Sequence, residues 1–116
     1  MIVTLTTNPS LDRTISLGEP LRVGEVQAAL GAREDAGGKG INVARVVAAA
    51  SRPALAVLPL DAADPFAVSL AATGIPARIV PHDGATRANV TIADEAGTTT
   101  KLNLPGAAFT EADAAA

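Results

Sequence analysis

Ala36-Gly37-Gly38-Lys39-Gly40-Ile41-Asn42-Val43-Ala44-Arg45 is the stretch that decides how the rest of the chain is read. Three glycines within four positions let the backbone take φ > 0 and bring a ligand close to the main chain. From Ile41 to Ala50 the sequence is Ala-rich and free of Gly and Pro, which predicts a mostly buried helix. The first amide N–H groups of that helix open onto the glycines, and such a start favours an anion or a hydroxyl oxygen. Lys39 adds a mobile positive charge, and Asn42 a side chain that both donates and accepts. A Gly-rich turn packing a helix against a sheet accounts for the same residues, and the two readings stand level.

Two familiar phosphate loops do not fit. A Rossmann fingerprint starting at Gly38-Lys39-Gly40 needs Gly where Val43 stands, and an apolar strand where Ala32-Arg33-Glu34-Asp35 precedes it. A P-loop needs Ser or Thr after Gly-Lys and a Gly further upstream; Gly40 and Arg33 occupy those places.

The length of 116 residues suits one modest domain. Hydrophobic residues make up 48% and aromatics only 2%, so the core must be built from Ala, Val, Leu and Ile. A net charge of −3 argues against sequence-independent nucleic-acid binding, which needs a basic face. The absence of cysteine excludes disulfides and thiolate metal sites, and the single His82, beside Pro81, forms no imidazole cluster. No apolar run reaches membrane-spanning length and nothing resembles a signal peptide, so a cytoplasmic soluble protein is expected.

Outward from the glycines, residues 2–7 are β-branched and predict a short central strand, ended by Pro9 in Asn8-Pro9-Ser10-Leu11-Asp12. Asp12 then falls just beyond the carboxyl end of that strand, where ligands bind in open α/β sheets; a turn-stabilising role is the alternative. Partial alternation over residues 13–17 and 25–30 predicts two short antiparallel strands of a small sheet standing off the main body. Residues 53–60 are a continuous apolar run and read as a buried parallel strand completing a βαβ unit. A helix from residue 64 through 73 and a strand over 77–80 follow. Two strands over residues 87–93 and 98–104, joined by Asp94-Glu95-Ala96-Gly97, form a hairpin. Alternation puts Arg87, Asn89 and Thr91 on one face, and Lys101 and Asn103 likewise share a face. Residues 111–116 read as the opening of a helix.

With Asn8-Pro9-Ser10-Leu11-Asp12, Gly37-Gly38-Lys39-Gly40-Ile41-Asn42-Val43-Ala44 and Thr86-Arg87-Ala88-Asn89 in hand, the chain resembles a ribokinase-like sugar kinase. More narrowly it resembles the branch that phosphorylates sugar phosphates, fructose-1-phosphate kinase and tagatose-6-phosphate kinase among them. The likeness runs from Met1 to about Glu111 and covers the amino-terminal part of such a kinase. It implies an α/β fold with a ribokinase-like βαβ core and a small protruding β-sheet lid, truncated before the carboxy-terminal half, so that residues 1–116 are one segment of one domain. The resemblance also implies roles. Asp12 would accept from sugar hydroxyls, Gly38 and the helix start would lie against the sugar, and Asn42 would bond another hydroxyl. Lys39 and Arg87 would hold the substrate's existing phosphate, with Asn89 on the same polar face; a planar guanidinium matches phosphate oxygens bidentately. The lid strands would also serve as the interface of a homodimer. ATP and Mg²⁺ are implied for the complete enzyme, with none expected on this segment alone.

Some positions depart from the family pattern. Ala36 stands where relatives commonly carry Pro, Leu104 where Glu often follows Leu-Asn, and Asp61-Ala62-Ala63-Asp64 where glycines are usual. The carboxy-terminal Gly-Ala-Gly-Asp segment, with its catalytic aspartate and nucleotide pocket, is missing. The leading expectation is the amino-terminal part of an ATP-dependent kinase converting fructose 1-phosphate to fructose 1,6-bisphosphate, inactive on its own. A non-catalytic sugar-phosphate-binding or dimerising module is the second, and a nucleotide-binding domain the third.

Overall fold

The computed structural model describes residues 1–106, so the expected helix over 111–116 lies outside the described residues. Strand β1 (Ile2–Leu5) leads through the turn at Pro9 into β2 (Ser10–Ser16). Strand β3 (Gly31–Gly37) runs with a single intervening residue into helix α1 (Lys39–Ala49). Then follow β4 (Ala54–Leu60), helix α2 (Phe66–Ala72), β5 (Ala77–Pro81), β6 (Arg87–Ala93) and β7 (Thr99–Asn103). The strands make two sheets. One is parallel with order β1-β4-β5; the other has order β3-β2-β6-β7.

In the second sheet each outer pair is antiparallel, while the central pair β2 and β6 is parallel. The expected small sheet is therefore two hairpin-like arms joined along one parallel seam. Its first arm needs a correction. No strand forms over residues 25–30; the partner of β2 is Gly31–Gly37 instead. The alternation over 25–30 misleads because Val26 is 99% exposed and faces nothing. Residues 19–27 are instead tied to one another, with Arg22 paired to both Glu19 and Glu25. Polar edge strands such as Gly31–Gly37 carry no apolar alternation to reveal them, yet they pair well through the backbone. Ala32-Arg33-Glu34-Asp35 is thus a strand before the glycines, though a polar one. The other ranges shift at their ends: β2 starts at Ser10 rather than 13, β7 spans Thr99–Asn103 rather than 98–104, and β6 matches residues 87–93. The second helix begins at Phe66 rather than 64 because Asp64 lies outside it and accepts the Phe66 amide at 2.8 Å.

One core joins α1 and α2 to the parallel sheet and takes in Leu11 of β2 and Ala36 of β3 from the second sheet. Ile41 and Ala44 of α1, Leu58 of β4 and Phe66 of α2 are fully buried. Burying side chains of the size of Ile41, Leu58 and Phe66 contributes about 1.5–3 kcal/mol each. The opposite sheet face, with Val3 60% and Leu5 62% exposed, carries no helix among the described residues. Strand β1, expected to be central, lies at the edge of this sheet among the described residues, where its one partner is β4. No described helix is long and apolar enough to cross a membrane.

Candidate functional site

The glycines of the opening stretch are each required by a different neighbour. Gly38 joins β3 to α1 at φ 135°, a conformation L side chains rarely adopt. A Cβ there would also come within 2.6 Å of the Thr6 methyl. A Cβ on Gly40 would fall on the Thr6 hydroxyl and lie 3.0 Å from the Leu5 carbonyl oxygen. Close packing of the helix start on the end of β1 therefore accounts for both. Gly37 differs: a Cβ there would meet the Asp12 carboxylate.

Asp12 lies within β2 rather than in a turn after β1. Its register partners are Asp35 on β3 and Asn89 on β6, and Asn89 in turn pairs with Asn103 on β7. The next row of the same face runs Arg33, Thr14, Thr91 and Lys101. Period-2 side-chain alternation turns these two rows into one polar surface. Asn42 and Arg45, on α1, line its lower side, and the open cleft so formed measures about 580 Å³. Arg45 Nη2 donates to the Ala36 carbonyl at 2.7 Å and so ties α1 to the end of β3.

The sequence-derived candidates divide as follows. Asp12, Asn42 and Asn89 line the cleft together. Arg87 sits one row beyond, paired in register with Ser10. Its guanidinium donates to the Asn8 carbonyl at 3.3 Å and reaches Asn89 Oδ1 at 3.5 Å, while Nε is buried with no partner among the described residues. It lines a separate small pocket with Asn8, Pro9 and His82. Lys39 is exposed at the first position of α1 and lines neither pocket. Gly38 packs on Thr6 and Pro9. Thr14, Thr91, Arg33, Asp35 and Arg45 were not singled out as site residues from sequence; the strand period flags Thr91, but pairing β3 with β2 is needed for Arg33 and Asp35.

The loop at Asp61-Ala62-Ala63-Asp64 is organised by its own carboxylates. Asp61 Oδ1 accepts the Ala63 amide at 3.0 Å, and Asp64 accepts the amides of Phe66 and Thr86. Among the described residues no group of three or more His, Cys, Asp or Glu side chains is placed to hold a metal.

This two-sheet arrangement matches part of the fold of the ribokinase-like sugar kinases, a little over a third of their length. It superposes on a ribokinase of Arabidopsis thaliana, solved with ribose and ATP, with a TM-score of 0.69 over 91% of this chain and 36% of that one, at 22% identity. In sequence the chain matches the sugar-phosphate branch of these kinases. It is 35% identical to a 1-phosphofructokinase of Vibrio cholerae over 114 residues, 97% of this chain and 36% of that protein. Phosphofructokinase-2 of Escherichia coli, solved with fructose-6-phosphate, superposes with a TM-score of 0.83 at 32% identity, covering 97% of this chain and 38% of that one. The chain thus spans about a third of the length of the curated relatives it matches. No protein-family model matches it.

Proposed function

We propose that the chain is the sugar-phosphate-recognition part of an ATP-dependent kinase that converts fructose 1-phosphate to fructose 1,6-bisphosphate. The observation that carries this reading is the convergence of Asp12, Asn42 and Asn89, from three different elements, on one polar cleft. A ring of sugar hydroxyls needs such a mixture: a carboxylate that only accepts and two amides that do both. Arg87 stands beside the cleft, its guanidinium reaching Asn89 Oδ1 at 3.5 Å, and such a planar fork matches phosphate oxygens. Lys39, exposed at the start of α1, supplies a second and more mobile charge. The fructose 1-phosphate assignment draws on the 1-phosphofructokinases among the relatives.

In this reading the β3-β2-β6-β7 sheet acts as a lid. Its other face carries Ile15, Val90, Ile92 and Leu102, the last 57% exposed, and is the proposed homodimer surface. Phosphoryl transfer needs a base and a charge-neutralised nucleotide site, and neither is built from the described residues. The 116-residue chain is accordingly proposed to bind without turnover, which makes a purely binding or dimerising module the second reading.

Calorimetric titration of the chain with fructose 1-phosphate, fructose 6-phosphate, fructose and inorganic phosphate tests the assignment. Binding of fructose 1-phosphate at least tenfold tighter than fructose is expected. Equal affinity for the sugar with and without phosphate overturns it. A coupled ATP assay on the same sample is expected to stay at background.

A further inference from the structure

We propose that Ser10 and Gly37 form a seat that fixes the Asp12 carboxylate, making both of them positioning residues for recognition of a sugar hydroxyl. The hydroxyl part of this proposal rests on the function proposed above; the seat itself does not.

Ser10 and Gly37 face each other across the β2–β3 pair, and both are buried. Asp12 lies two residues after Ser10, on the same face of the strand. Ser10 Oγ donates to Asp12 Oδ1 at 2.7 Å, the one hydrogen bond its side chain makes among the described residues. On the other side the carboxylate lies directly over the Gly37 Cα: a Cβ there would come 2.7 Å from Asp12 Cγ and collide with Oδ2. Gly37 is not among the residues with positive φ, so its backbone tolerates a side chain. Space for the carboxylate is what requires glycine here, unlike Gly38 and Gly40 at the packed helix start. A free Asp on a half-exposed strand samples several rotamers; one held from two sides presents an oxygen to the cleft already ordered. Removing that ordering cost is how preorganisation strengthens binding.

The test uses the 116-residue chain with Ser10→Ala and Gly37→Ala, read in two ways. The first readout is the Hα–Hβ scalar couplings of Asp12 by NMR without ligand, which report its χ1 rotamer. The second is the Kd for fructose 1-phosphate by calorimetry. Wild type is expected to show couplings of a single rotamer. Ser10→Ala is expected to show averaged couplings and a Kd raised about tenfold, the size of one charge-assisted hydrogen bond. Gly37→Ala is expected to keep the wild-type circular dichroism while changing the Asp12 couplings and raising Kd at least tenfold. Unchanged Asp12 couplings in Ser10→Ala overturn the seat, even where Gly37→Ala does not fold. Changed couplings with an unchanged Kd overturn the positioning role. If the wild type does not bind fructose 1-phosphate, the assigned function fails with the hydroxyl role, and the couplings alone still decide the seat.

Discussion

Asp64 and Thr86 lie 22 positions apart, yet Asp64 Oδ2 accepts the Thr86 amide at 2.7 Å. The other oxygen of the same carboxylate accepts the Phe66 amide at 2.8 Å. One side chain therefore fixes the start of α2 and the residue before Arg87 together. Asp64→Ala is expected to lower stability by about 2–3 kcal/mol, since two amides lose a charged acceptor. Asp64→Asn, with one acceptor oxygen left, is expected to fall between. Urea denaturation measures both; equal midpoints for wild type and Asp64→Ala would refute the tether.

Arg87→Ala is expected to weaken binding of fructose 1-phosphate by roughly 10- to 100-fold, given about 1.5–3 kcal/mol for a charge-assisted hydrogen bond. Lys39→Ala is expected to do less, because an exposed ammonium lacks the guanidinium fork. Affinity for fructose is expected to be unaffected in both. Calorimetry with the two sugars separates phosphate recognition from a general loosening of β6.

Gly40→Ala is expected to destabilise by about 1–3 kcal/mol, the usual range for overpacking. The added methyl would press on Thr6 and on the Leu5 carbonyl, and the latter is backbone that cannot swing aside. At about 4–8 °C per kcal/mol for small domains, a melting temperature within one degree of wild type contradicts the packing assigned to this helix start.

Ser51, just past the end of α1, is the one non-glycine residue among those described with positive φ, at 59°. Glycine carries no Cβ penalty in that conformation. Ser51→Gly is thus expected to stabilise by about 0.5–1 kcal/mol, visible as a higher urea midpoint at unchanged m-value.

The Glu19 carboxyl is held below its ordinary value of 4.5 by a hydrogen bond from Arg22, by the Arg22 charge, and by a further bond from Gln27. A lowered carboxyl pKa favours the ordered form above the unfolded value and loses that effect as pH falls through the folded one. Acidification below about 4.5 is therefore expected to shift the Arg22 and Gln27 signals in NMR spectra. The group is fully exposed, so Glu19→Gln is expected to abolish that shift without moving the melting temperature.

Much of the parallel core was legible because apolar runs and their stops are local signals. The run ending in Leu60 and the glycines before Ile41 announce strand and helix without tertiary help. Asp12, Asn42 and Asn89 were singled out through the resemblance to sugar-phosphate kinases, and the fold brings all three to the lining of one cleft. Arg33 and Asp35 were not, because their place depends on a polar edge strand that leaves no hydrophobic period. The alternation over residues 25–30 pointed to the wrong segment for the same reason: Val26 alternates correctly but has nothing to pack on. Gly38 and Gly40 show the limit of reading loops by composition. Glycines that invite a ligand and glycines that admit a neighbouring threonine look alike in sequence.

The parallel seam between β2 and β6 has a kinetic consequence. Arg87 and the Asn8 carbonyl it contacts are 79 positions apart, and every row of the cleft crosses that seam. Each arm, β2 with β3 and β6 with β7, can zip by closer-range pairing, whereas the seam must first close a loop containing the whole βαβ core. During synthesis Asp12 leaves the ribosome long before Asn89 exists to complete its row. The core is therefore the template and the cleft the last part to assemble, so a slow-folding variant of this chain would lose ligand recognition before it lost its helices.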